Sequence, residues 1–123
     1  MHILIADDSK SVHAFMKSLF AGTAHQLVHA QDGQDAFDQW QKQPNGFDII
    51  LLDWEMPVLD GYGSLDKLLT AGCTTPIMMV TSKNDPSYIT KAIERGAVEY
   101  VMKPFDRDIL FEKIEMVLGR KVA

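Results

Sequence analysis

Short apolar runs alternate with longer amphipathic segments along the whole chain, and this alternation restricts the fold more than any other feature of the sequence. The apolar runs are rich in Ile, Leu, Val and Met, and such nearly continuous runs are typical of strands buried on both faces. Strands are predicted at residues 3–6, 26–30, 47–52, 76–80 and 98–102. Because parallel strands need long crossover connections, the alternation predicts repeated βα units.

Five helices are predicted to follow the strands, and the first, fourth and fifth have apolar residues three or four positions apart. The second is expected at about residues 34–43 and the third at about 64–70. Asp85 and Pro86 are a favourable start for the fourth, and Gly119 is a favourable end for the fifth. Right-handed crossovers place helices on both faces of the sheet, so a three-layer α/β/α sandwich around a five-stranded parallel sheet is expected.

Several classes of protein are disfavoured by composition. Ten elements account for the 123 residues, so a single domain over residues 1–123 is expected. A net charge of −5 argues against direct binding of a nucleic-acid backbone. No run approaches the ~18 apolar residues of a membrane span, so no membrane association is expected. Cys73, the only cysteine, cannot form an internal disulfide, which favours the reducing cytoplasm.

Carboxylates, hydroxyls and an ammonium group follow four of the five predicted strands. In chain order they are Asp7, Asp8, Asp53, Thr81, Ser82 and Lys103. The carboxyl ends of parallel strands meet at one edge of a sheet, so these side chains are expected to converge. Clustered carboxylates repel each other unless they bind a cation or a proton. Hard oxygen ligands together with phosphate oxygens suit Mg²⁺, or Mn²⁺ in its place, and a carboxylate can accept a phosphoryl group.

With these residues in place, the sequence resembles the receiver domain of two-component response regulators, the chemotaxis-regulator-like family, over essentially its whole length. The matching segments are residues 6–9 (Ala-Asp-Asp-Ser), 52–57 (Leu-Asp-Trp-Glu-Met-Pro), 60–61 (Asp-Gly), 80–82 (Val-Thr-Ser), 100 (Tyr) and 103–105 (Lys-Pro-Phe). The resemblance implies a doubly wound, flavodoxin-like (βα)5 fold. It also implies a phosphorylation switch that is not a conventional enzyme but catalyses its own phosphorylation and dephosphorylation.

The resemblance implies that Asp53 is the phosphoryl acceptor. It further implies that Asp8, Asp53 and the backbone carbonyl of Glu55 bind Mg²⁺, with Asp7 assisting through water. On its own, an acidic pair such as Asp7 and Asp8 is more often a solvated turn, and Asp8 could in part cap the first helix.

The resemblance also implies how the phosphoryl group is recognised. Lys103 contacts the phosphoryl oxygens, and Thr81 forms a hydrogen bond to them after transfer. Tyr100 matches the aromatic residue that turns inward as Thr81 moves, so these two residues form the switch. Pro104 occupies the family's cis-proline position.

The partners implied by the resemblance are proteins. A histidine kinase or a histidine phosphotransfer domain donates the phosphoryl group, and a face made of the fourth helix, fifth strand and fifth helix controls a downstream effector or an output domain removed from this chain. Residues 98–100 and 111–113 match poorly the pattern of the dimerising transcription factors in the family, so a monomer is expected when the protein is unphosphorylated.

Three further residues are expected to tune the reaction. Glu55 lies two positions beyond Asp53, and Lys83 lies two beyond Thr81, so their opposite charges predict an ion pair that slows loss of the phosphoryl group. Ser82 is small and leaves the site open to small phosphoryl donors. The main alternative is a pseudo-receiver, a protein-interaction module of the same fold that works without phosphorylation. The four histidines show no metal-ligand spacing, and no function is assigned to His13.

Overall fold

The computed structural model describes residues 1–122 and contains one sheet of five parallel strands in the order β2-β1-β3-β4-β5. The strands are β1 (His2–Ala6), β2 (Gln26–Ala30), β3 (Ile49–Leu52), β4 (Ile77–Thr81) and β5 (Glu99–Met102). The helices are α1 (Lys10–Leu19), α2 (Gly33–Lys42), α3 (Gly61–Thr70), α4 (Pro86–Arg95) and α5 (Arg107–Leu118). The expected doubly wound, flavodoxin-like sandwich is therefore confirmed. No helix within residues 1–122 is long and apolar enough to cross a membrane.

Alternation along the strands divides the interior into two layers, because successive side chains point to opposite faces of a sheet. Ile3 and Ile5 of β1 belong to the layer that also contains buried residues of α1 and α5. Leu4 and Ala6 of the same strand belong to the layer that contains buried residues of α2, α3 and α4. Both faces of β3 are thus covered, which explains why all four of its residues are apolar and buried.

Side chains at the helix starts bind the free amides of the first turn. Asp32, Asp60, Asp85 and Asp106 cap α2 to α5 in this way, as expected for Asp85 before Pro86. The N-cap of α1 is Ser9, whose Oγ accepts from the backbone N–H of Val12 at 3.3 Å. Asp8 is therefore not the capping residue of α1.

Two element boundaries differ by more than one residue from the sequence-based expectation. Helix α3 begins at Gly61 rather than near residue 64, because Asp60 caps it and accepts from the backbone N–H of Gly63 at 2.7 Å. Strand β3 begins at Ile49 rather than at residue 47. The carboxylate of Asp48, just before it, accepts the backbone N–H of His2 at 2.7 Å, and the backbone N–H of Asp48 donates to the carbonyl of His2 at 2.8 Å.

The register of the central strands positions the polar residues that follow them. Ala6 of β1 is paired with Leu52 of β3, so the next residue of each strand, Asp7 and Asp53, emerges at the same level. Thr81 is the last residue of β4 rather than the first residue after it, and it pairs with Met102 of β5. Lys103 follows Met102 directly and reaches the same edge.

Candidate functional site

Three carboxylates converge at the carboxyl edge of the sheet. Asp7, Asp8 and Asp53 each offer an oxygen, and these oxygens all lie within 4.8 Å of one another. Asp7 is buried, the side chain of Asp53 is 12% exposed, and Asp8 is open to solvent. The cluster therefore has a buried base and an open side, a shape that lets a small ion or a phosphoryl group approach.

An ammonium group lies beside the two less exposed carboxylates. The Nζ of Lys103 is 2.6 Å from Oδ2 of Asp7 and 3.6 Å from Oδ2 of Asp53. The backbone N–H of Lys103 donates to the carbonyl of Thr81 at 2.9 Å, and the peptide bond from Lys103 to Pro104 is cis, as expected. One positive charge thus faces three negative ones, and the cluster keeps a net negative charge.

One oxygen of the Asp53 carboxyl group accepts a backbone hydrogen bond, and the other faces the ammonium group of Lys103. Its Oδ1 accepts the backbone N–H of Trp54 at 2.8 Å, whereas Oδ2 faces Lys103. Burial raises the pKa of Asp53, Lys103 opposes this rise, and the nearby Asp7 adds to it. Ionisation of Asp53 is therefore less favourable here than for an exposed aspartate, and a bound cation would favour it.

The donor set of the cluster fits a hard divalent cation. Carboxylate oxygens within 4.8 Å of one another are spaced so that one ion can contact several of them, and the exposure of Asp8 leaves room for water ligands. Mg²⁺ prefers oxygen ligands and usually retains several waters. An acidic pocket of this kind is the one at which the receiver family generally binds Mg²⁺.

Thr81 and Tyr100 are both buried and are linked through the backbone of one residue. The hydroxyl of Tyr100 donates to the carbonyl of Lys83 at 2.7 Å, and the backbone N–H of Lys83 donates to Oγ1 of Thr81 at 3.3 Å. Tyr100 is 7% exposed, so its ring lies in the inward position. The loop between β4 and α4 therefore connects the acceptor edge with β5.

The side chains of Glu55 and Lys83 form an ion pair at the open side of the cluster. Their charged atoms are 3.3 Å apart, with 65% and 31% of the side chains exposed, respectively. Both line a pocket of about 520 Å³ that Asp8 and Trp54 also line. Ser82 is exposed and does not close this region. The expected ion pair is thus present, whereas its effect on the chemistry stays a prediction.

Two supporting residues had no role assigned from the sequence. Gly61 must lack a side chain, because a Cβ there would lie 2.0 Å from the backbone oxygen of Asp53. Trp54 packs on Tyr62 of α3 and Tyr88 of α4, with ring centroids 5.6 and 4.9 Å apart. The Asp-Gly pair at the start of α3 was a sequence signal for Gly61. No sequence signal indicated the packing of Trp54, because its partners lie in separate segments of the chain.

Comparisons with known proteins identify the family. Residues 3–115 match the response regulator receiver domain. A chemotaxis protein CheY homolog from Campylobacter jejuni is 30% identical over 122 residues, which cover 97% of this chain and 93% of that protein. A probable transcriptional regulator, ycf27, from Porphyridium aerugineum is 33% identical over 119 residues, or 96% of this chain. The chain spans only 48% of the length of that regulator.

The fold has a close structural counterpart. The crystal structure of the CheX-CheY-BeF3-Mg²⁺ complex from Borrelia burgdorferi superposes with a TM-score of 0.92 at 22% identity, covering 98% of this chain and 90% of that one. This likeness supports the fold, and the sequence matches support the family. The chain belongs to the response regulator receiver domain family of two-component systems.

Proposed function

We propose that Asp53 accepts a phosphoryl group from a phosphohistidine of a histidine kinase or a histidine phosphotransfer domain, in a reaction that requires Mg²⁺. The observation that carries this proposal is the convergence of Asp7, Asp8 and Asp53 with Lys103 at one edge of the sheet. Of the three carboxylates, Asp53 combines partial exposure with an oxygen that faces the ammonium group. Asp7 is buried against Lys103, which leaves Asp53 as the better nucleophile.

In the transfer step, Oδ2 of Asp53 forms a bond to phosphorus while the bond from phosphorus to the donor nitrogen breaks. The bonding pair leaves with that nitrogen, and an imidazole protonated at its other nitrogen departs as neutral imidazole. The ammonium of Lys103 stabilises charge on the phosphoryl oxygens, while Trp54 N–H holds the second carboxyl oxygen. Asp8, Asp53 and the carbonyl of Glu55, with Asp7 acting through water, would hold Mg²⁺, and the bound cation would supply positive charge at the same oxygens.

The switch that we propose uses Thr81 and Tyr100. The hydroxyl of Thr81 donates to a phosphoryl oxygen on Asp53, which draws the loop after β4 towards the site. The bond between Tyr100 and the carbonyl of Lys83 then favours the inward ring, since that carbonyl moves with the same loop. Phosphorylation shifts the population towards this arrangement rather than creating a new one.

The output surface in this proposal is the face formed by residues 86–118 of α4, β5 and α5. Ile93, Val98, Ile109 and Met116 are partly exposed there, with exposed fractions between 44% and 64%. We expect these side chains to contact a protein partner, because exposed apolar surface marks an interaction site where it is contiguous. The partner is a downstream effector or an output domain on a longer chain, and the unphosphorylated receiver is a cytoplasmic monomer with residues 1–123 as one domain.

The ion pair of Glu55 and Lys83 is proposed to slow dephosphorylation, because it lies across the open side through which water reaches the acyl phosphate. Ser82 leaves space for small donors such as acetyl phosphate. A phosphorylation-independent pseudo-receiver is not favoured, since such a module has no need for three clustered carboxylates and a paired lysine. Exposed ion pairs contribute only about 0–1 kcal/mol, which limits the tuning effect to about fivefold in lifetime.

The experiment that tests this function adds Mg²⁺ and acetyl phosphate and follows intact mass and tryptophan fluorescence. Wild type is expected to gain the mass of one phosphoryl group and to change its fluorescence, since Trp54 adjoins the acceptor. Asp53→Asn is expected to gain no mass, and EDTA is expected to block the reaction. The exposed Asp38 of α2 provides a matched control, so Asp38→Asn is expected to behave as wild type. Phosphorylation of Asp53→Asn, or of neither protein, contradicts the proposal.

A further inference from the structure

Two histidines form a chain of hydrogen bonds that ends on the backbone of Asp7. Nδ1 of His13, on α1, lies 2.5 Å from Nδ1 of His29, on the edge strand β2. The other ring nitrogen of His13, Nε2, lies 2.6 Å from the carbonyl oxygen of Asp7. The rings meet edge to face at 78°, with centroids 4.3 Å apart. The pair therefore connects the edge of the sheet to a residue of the carboxylate cluster.

The carbonyl group of Asp7 determines which ring nitrogens of the two histidines carry hydrogens. A carbonyl oxygen only accepts, so Nε2 of His13 must carry a hydrogen. When His13 is neutral, its Nδ1 is then a bare acceptor, and Nδ1 of His29 must supply the hydrogen between the two rings. The carbonyl of Asp7 thus selects the tautomer of His13, and His13 selects that of His29, so the order of donors runs from His29 through His13 to Asp7.

The surroundings of His29 favour this neutral arrangement. Its Nε2 is buried and has no hydrogen-bond partner among the residues that the structure describes. Burial lowers the pKa of His29, and the nearby His13 and Lys17 lower it further. A second hydrogen on His29 would therefore be an unpaired donor away from water, which is unfavourable.

Asp7 lies at the point where β1 turns into the loop before α1, and its other groups are also fixed. Its backbone N–H donates to the carbonyl of Ala30 at 3.1 Å, and Oδ1 accepts the backbone N–H of Ser9 at 2.9 Å. Oδ2 faces Lys103 at 2.6 Å. The bond from His13 adds a restraint on the carbonyl, which sets the orientation of the peptide plane between Asp7 and Asp8.

We propose that His13 is a positioning residue for the acceptor site: its Nε2–H, with His29 bonded to the other ring nitrogen, fixes the Asp7–Asp8 peptide and so orients both carboxylates for Mg²⁺. This inference rests on the proposed function for the identity of the metal, but the hydrogen-bond chain stands independently of it. Side chains that orient metal ligands through one hydrogen bond typically change metal affinity by roughly 10–100-fold when removed. Because His13 acts through the backbone, the low end of that range is expected.

The first test reads the tautomers directly. Long-range ¹H–¹⁵N spectra of the imidazole rings are expected to show the hydrogen on Nε2 for His13 and on Nδ1 for His29 at neutral pH. His29→Ala is expected to leave the hydrogen of His13 on Nε2, because the carbonyl of Asp7 still accepts it. A spectrum of the native protein with His13 protonated on Nδ1 alone, or with both rings averaging freely, overturns the inference. This readout needs neither metal nor phosphorylation.

The second test measures the dissociation constant for Mg²⁺ by tryptophan fluorescence. His13→Ala is expected to raise it about tenfold, whereas His13→Gln, which keeps a donor at the position of Nε2, is expected to stay within about twofold of wild type. The double variant of His13 and His29 to alanine is expected to bind Mg²⁺ no more weakly than His13→Ala alone, because the two act as one chain. Unchanged affinity in His13→Ala, or equal loss in His13→Gln, overturns the positioning role.

A matched control lies at the opposite end of the sheet. Nδ1 of His2 bonds to the carbonyl of Gly46 at 2.7 Å, so His2→Ala removes the same kind of bond far from the cluster and is expected to leave Mg²⁺ affinity unchanged. Thermal unfolding of each variant separates loss of positioning from loss of folding. If wild type binds Mg²⁺ but Asp53 accepts no phosphoryl group, the proposed function is wrong. The role of His13 is then still tested by the Mg²⁺ dissociation constants of its variants.

Discussion

Replacing Asp53 by asparagine is expected to stabilise the folded protein at neutral pH when no divalent cation is present. The substitution keeps the size of the side chain and removes its charge from a site that has more negative than positive groups. The clustered charges thus lower the free energy of unfolding, as expected for a reactive site that holds like charges close together.

The magnitude follows from the distances in the cluster. With an effective dielectric constant of about 20, two unit charges at 4.8 Å, the upper limit of the oxygen spacing in the cluster, repel each other by about 3.5 kcal/mol, and charges at 3.6 Å attract by about 4.6 kcal/mol. Asp53 experiences repulsion from both Asp7 and Asp8 against one attraction from Lys103. Water screens the exposed Asp8, so a net gain of about 1–2 kcal/mol is expected for Asp53→Asn, or roughly 4–8 °C in Tm.

The pH dependence has a definite sign. Folding raises the pKa of Asp53 above its ordinary value of 3.8, so the folded state binds this proton more tightly than the unfolded chain. The wild type therefore loses stability relative to Asp53→Asn as the pH rises through the raised pKa, and the two converge at pH values below 3.8. The stability difference should be largest at neutral pH.

Urea unfolding of both proteins at several pH values, with and without Mg²⁺, measures this effect. Mg²⁺ at ten times its dissociation constant is expected to stabilise the wild type by about 1.4 kcal/mol and the variant by much less. Asp38→Asn, at an exposed position of α2, is the control and should change stability by less than about 0.5 kcal/mol. A variant that is less stable than wild type at pH 7 in EDTA, or equal stabilisation by Mg²⁺, refutes the reasoning.

Three further outcomes are expected. Val58 is 82% exposed and has a φ of 68°, which is unfavourable for a β-branched residue, so Val58→Gly should raise the free energy of unfolding by about 0.5–1 kcal/mol in urea titrations; a decrease contradicts this. Tyr100→Phe removes the bond to the carbonyl of Lys83 and should lower that free energy by about 1 kcal/mol, with Tyr62→Phe as the control. Lys83→Ala should shorten the lifetime of the phosphorylated protein by up to about fivefold, and an unchanged lifetime removes the tuning role of its pair with Glu55.

The sheet could be predicted from the sequence because its strands are buried on both faces. Such strands need uninterrupted apolar residues, and β3, which consists only of Ile and Leu, meets that requirement at every position. The start of α3 could not be predicted as well, because Gly61 and Gly63 weaken the helical pattern. Gly61 is there for a tertiary reason, its close approach to the backbone of Asp53, which local sequence does not reveal.

The site likewise has features that could be predicted from the sequence and features that could not. Convergence of Asp53 with Lys103 follows from topology, since residues after parallel strands share one edge. The chain from His29 through His13 to Asp7 depends on how α1 is rotated against β2, and helix rotation is set by packing of the whole layer. The bond of Tyr100 to the carbonyl of Lys83 likewise depends on a side-chain rotamer and on a loop path.

The most direct test of the phosphorylation mechanism is to locate the phosphoryl group within the chain. The protein would be treated with acetyl phosphate and Mg²⁺, reduced with borohydride to convert the acyl phosphate to homoserine, digested, and sequenced by tandem mass spectrometry. Homoserine is expected at position 53, with unmodified aspartate at positions 7 and 8. Homoserine at position 7 or 8, or at no position despite bound Mg²⁺, would contradict the central claim that Asp53 is the phosphoryl acceptor.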